Sequence, residues 1–133
     1  MATISTNDLQ AMAQTFHDIG VAVGQIRLDA IHDGKALNDP QIVNLLGTSL
    51  SLLNLSSSFA VQAAQVTLND VAGAVATIGK ATGQAGAELK KLQALDKAIR
   101  IGMAVLVLGT AVFTADPLQI HAAAKGVLDA ATS

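Results

Sequence analysis

The sequence contains no cysteine, tryptophan or tyrosine, only two prolines, and little charge for its size. Without cysteine there is no disulfide, no thiolate nucleophile and no cysteine-based metal site, which suits a reducing compartment. Without tryptophan or tyrosine the chain lacks aromatic membrane-interface anchors, and with only three Phe it has few stacking platforms for single-stranded nucleic acid. Eight Lys and Arg stand against ten Asp and Glu, for a net charge of −2, with no basic run longer than Lys90-Lys91. Nucleic acid is therefore not an expected partner. The start, MATISTND, has no cationic segment leading into an apolar one, so a secretory signal is not expected. The cytoplasm is the default address, with signal-less export as the alternative.

What is present is mostly apolar. Of 133 residues 51% are hydrophobic and 14% charged, so the chain reads as one domain large enough to bury a core. Much of that apolar content is Ala, with eleven Gly, and such helices can approach closely. The charges are too few to cover a monomer, so uncharged polar residues or other copies of the chain must cover part of the exterior.

The periodicity is helical throughout. Ser5 to Asp8 is a helix start, followed by Leu9, Met12, Phe16, Ile19, Val23, Ile26 and Ala30 on one seam. Gly20 and Gly24 form a G-x-x-x-G notch within it. Asp39-Pro40 opens a second helix that carries no charge as far as Asn69. Leu46, Leu50, Leu53, Ala60 and Ala64 are expected as its buried seam, with Leu45, Leu52, Leu55 and Phe59 widening the apolar face. From Val71 to Phe113 a three-and-four pattern runs through Val75, Ile78, Thr82, Ala85, Leu89, Leu92, Ile99, Met103 and Leu106. Beside it lies a stripe of small residues, Ala72, Ala76, Gly79, Gly83 and Gly86. Glycine costs roughly 1 kcal/mol per residue inside a helix, so a break is expected among these glycines. Asp116-Pro117 opens a last helix. The expectation is an all-α antiparallel bundle of about five helices, near 8–32, 40–66, 70–84, 87–114 and 117–131, with 70–114 as one long helix the alternative.

Ile101 to Ala115 has no charge and is apolar on every side, as in a helix buried in protein or lipid. It spans about 22 Å at 1.5 Å per residue, short of the ~30 Å hydrocarbon core of a bilayer. It is best read as the central helix of the bundle.

No chemistry-bearing constellation is visible. His17, His32 and His121 lack metal-binding spacing, and Asp29, His32 and Asp33 read as a helix terminus with a favourable histidine. There is no nucleophile elbow, phosphate loop or dinucleotide fingerprint. No catalysis, metal or cofactor is expected. Two functions fit these residues. The first is self-association or binding of a helical partner through Ala/Gly-rich faces, with Gly20, Gly24, Leu46, Leu50, Leu53, Ala72, Ala76 and Gly79 as contact candidates. The second is a soluble-to-membrane protein, pore-forming or permeabilising, that exposes 101–115 through Ile101, Val105, Leu106, Leu108 and Phe113.

Overall fold

The computed structural model describes residues 2–91 and 94–132. The helices are α1 (Thr6–His32), α2 (Pro40–Ala63), α3 (Val71–Leu89), α4 (Leu95–Ala111) and α5 (Pro117–Thr132), with a 3-10 turn at Val112–Thr114. Two short strands, β1 (Ala2–Thr3) and β2 (Thr67–Leu68), pair antiparallel with Ala2 opposite Leu68. Strands of two residues are too short to show alternation, so no sequence period announces them.

Local chemistry starts most of these helices by satisfying the free N–H groups of the first turn. The Ser5 hydroxyl accepts from the Asp8 amide at 3.1 Å. The Asp39 carboxylate accepts from Gln41 at 2.9 Å, with Pro40 at the first helical position. Asp70 accepts from Gly73 at 2.9 Å and Asp116 from Leu118 at 3.0 Å. By contrast α4 starts at Ala94 with no side-chain cap.

The expected break among the glycines does not occur. Helix α3 continues through Gly79, Gly83 and Gly86 to Leu89, with Lys90 and Lys91 in a turn, and α4 starts at Leu95, so 70–114 is two helices divided later than the sequence suggests. The glycines lie off the buried face, while Ile78, Ala81, Thr82, Ala85 and Leu89 bury the opposite one and hold the helix. An ion pair between Lys97 Nζ and Glu88 Oε1, at 3.0 Å, ties α4 back to α3 across the turn. The turn also resets the helical phase. In α4 the buried residues are Ala98, Ile101, Gly102, Val105, Leu108, Gly109 and Ala111, whereas Met103, expected on the seam, is 56% exposed. Leu92, another expected seam position, falls outside the described residues.

Successive helices reverse direction. Ser49 donates to the Gly20 carbonyl (2.8 Å) and Ser56 to that of Ala13 (2.7 Å), which sets α2 antiparallel to α1. Between α2 and α4 the contacts climb together: Gln41 donates to Asp96, Thr48 meets Gly102 and Leu55 meets Gly109, so these two neighbours run parallel. Around the bundle the order is α1, α2, α4, α5, α3 and back to α1, and α4 touches all four other helices. The three Phe meet in the interior: Phe16 and Phe59 are edge to face at 5.0 Å, and Phe59 and Phe113 lie 5.7 Å apart.

Candidate association surface

Helix α2 has apolar residues on two adjacent rows, and the fold buries only one. Ile42, Leu45, Leu52, Leu55, Phe59 and Ala63 are buried. The row one position on is open: Val43 is 54%, Leu46 39% and Leu50 51% exposed, and Leu53 is half-buried. This reverses the sequence expectation, which took Leu46 and Leu50 for the buried seam. One residue on a helix is a rotation of about 100°, and both rows are leucine-rich, so composition does not rank them. The docking partners do. A Cβ added at Gly20 would meet Leu52 at 3.1 Å and Leu53 at 3.2 Å, and one at Gly24 would meet Ser49 Oγ at 3.0 Å. On the other side Gly102 receives Thr48 and Gly109 receives Leu55. These four glycines draw the Thr48, Ser49, Leu52 and Leu55 side of α2 inward, which turns the Val43, Leu46 and Leu50 row outward.

The open row extends onto α1. Val21 follows Gly20 and Leu28 lies one turn past Gly24, so both stand on the outer shoulder of α1 beside α2, 50% and 53% exposed. On the far side of α2, Met103 and Val107 project from the outer side of α4, 56% and 58% exposed. The run 101–115 is therefore not buried on every side. Ile101, Val105 and Leu108 face the core, while Leu106 and Phe113 are half-buried. Between these apolar groups the exposed side of α2 offers Asn44, Gly47, Ser51 and Asn54, and no charge.

The remaining contact candidates separate. Gly20 and Gly24 are spent inside the molecule, against α2. Ala72, Ala76 and Gly79 are exposed on α3, and no atom approaches the Cβ position of Gly79 within 4 Å. The structure thus places the leucines and the small-residue stripe on different helices and brings neither set onto the other. Val21, Leu28, Val43 and Val107 were not singled out by the sequence, and Met103 was taken for a buried seam position. The only signal of the first four was apolar identity off the main seam.

Polar chemistry stays scattered. Among the described residues no group of three His, Asp or Glu side chains could hold a metal ion. Asp29 accepts from Gln25 at 2.9 Å on the surface, and His32 and Asp33 beside it are exposed. A cleft of about 210 Å³ where α3 and α5 begin is lined by Leu68, Thr77, Ile120 and His121 among others, with the Asp70 carboxylate already bound to the Gly73 amide. A shallow groove of about 490 Å³ between α4 and α5 is lined by Ala, Val107, Gly126 and one amide side chain, Gln119. Among the described residues no hydrogen bond or ion pair joins Asp70 to His121 in the cleft, and the α4–α5 groove is lined by no titratable side chain. No protein-family model matches the chain, and no curated protein or solved structure is significantly similar to it.

Proposed function

We propose that the protein acts without catalysis, by associating through the apolar, charge-free side of α2 and the adjoining shoulder of α1. One observation carries this reading: Val43, Leu46 and Leu50 stand in water on a 24-residue helix that has no charged residue. Fully burying such a side chain contributes roughly 1.5–3 kcal/mol, and association offsets that against about 4–15 kcal/mol of lost freedom. Several of these side chains must therefore be covered together. The absence of cysteine suits a cytoplasmic setting for this role. Sedimentation velocity over a range of concentrations tests the proposal. The expected result is a mass above the 13.5 kDa of one chain; a single-chain mass throughout would contradict self-association.

A membrane role is the second reading, because α2 and the segment Leu95–Thr114 are each long and apolar enough to cross a bilayer, with only 33% and 44% of their most apolar windows buried. Their directions weigh against insertion as a pair. They run parallel and α3 lies between them in sequence, so crossing together would drag α3 across as well, with Lys80 and Glu88. Charged side chains at the bilayer centre cost several kcal/mol each. Dye release from anionic liposomes by the monomer would favour this second reading over the first.

A further inference from the structure

We propose that the occupant of this surface is a second copy of the same chain, with the two α2 helices antiparallel across a two-fold axis near Leu50. The inference rests on the association reading above and names its partner.

Charge is the first constraint. A partner carrying Lys, Arg, Asp or Glu against the open row would lose their hydration with no opposite charge to meet them. The occupant must be uncharged along most of α2, a length of about 36 Å for 24 residues. The α2 helix of another copy meets that requirement along its whole length.

Size is the second. At three-and-four spacing Val43, Leu46, Gly47, Leu50, Asn54 and Ser57 follow one another along the outer side of α2. The large side chains Val43 and Leu46 precede Leu50 and the smaller polar Asn54 and Ser57 follow it, with Val61, 77% exposed, one turn further on near the helix end. A two-fold through Leu50 sets Val43 against Ser57 of the partner subunit and Leu46 against Asn54 of the partner subunit, large on small, in both halves at once. A parallel pairing would set large on large and leave the small residues facing a gap. Gly47 lies beside the axis, and no atom of its own chain comes within 4 Å of its Cβ position. Glycine is less favourable than alanine in an exposed helix interior, and here it leaves a notch for the facing helix. Closed two-fold pairing is also the commonest way identical subunits assemble.

The test uses opposite charges at the axis. Leu50 is half exposed, so Leu50→Arg and Leu50→Asp should each fold with unchanged helix content by circular dichroism. In a two-fold dimer each variant sets like charge against like charge and should weaken association about a hundredfold, leaving single chains by sedimentation. Mixed in equal amounts, the two variants should restore the two-chain mass. A wild-type protein that stays a single chain would overturn both this pairing and the association reading. A wild-type oligomer that Leu50→Arg leaves intact would overturn only the pairing through α2. A dimer that either charge breaks and the mixture does not restore would place Leu50 in an interface, but not against itself.

Discussion

Glycine at the level of the single residue divides into two kinds that look alike in the sequence. Gly102 is pressed against Thr48, a β-branched side chain with little freedom to move aside, whereas Gly79, Gly83 and Gly86 have open space at the Cβ position. Gly102→Ala is expected to destabilise by about 1–3 kcal/mol through overpacking, less the helix-propensity gain of roughly 1 kcal/mol. Gly79→Ala and Gly83→Ala are each expected to stabilise by about 0.5–1 kcal/mol. Urea denaturation midpoints of the three variants check both signs. The small-residue stripe on α3 was thus readable as composition. Its orientation was not, because a glycine under a neighbouring helix and a glycine facing water share the same letter.

Each helix start was legible where a side chain had to receive an amide. Ser5, Asp39-Pro40 and Asp116-Pro117 all mark real starts, and Asp39→Ala is expected to cost about 1 kcal/mol, within a usual range of 0.5–2, by loss of the bond from Gln41. Thermal unfolding followed by circular dichroism would show it. The seam of α1 was equally plain: Leu9, Met12, Phe16, Ile19, Val23 and Ile26 are all buried, with Ala30 half-buried at its end. In α2 and α4 apolar residues surround most of the axis, so the pattern lost its phase information and the wrong row was chosen. The three-and-four register carried from Val71 to Phe113 had no meaning past Lys90, where the chain reverses. Helix α4 now has two testable sides. Leu108→Lys, at a fully buried position, should destabilise by several kcal/mol and abolish cooperative melting, while Val107→Lys, 58% exposed, should change stability by less than about 1 kcal/mol. Equal effects of the two would contradict the assigned orientation.

Taken as a whole molecule, the bundle spends four of its glycines on drawing α2 close to α1 and α4, and in doing so leaves the other leucine row of α2 outside. The architecture of reversing helices was legible from helix length and short connections, and the open surface was not. The sequence shows that charge is too scarce to cover the exterior, and only the packing shows which side goes uncovered. That side, with Val21 and Leu28 at one edge and Met103 at the other, is where association is expected. Methyl NMR of selectively labelled protein across a dilution series tests this most directly. The methyl signals of Val43, Leu46 and Leu50 should move with concentration while those of Ile101, Val105 and Leu108 stay fixed. A dilution series that leaves the α2 methyls unmoved, or that shifts only the methyls of other helices, would contradict the account.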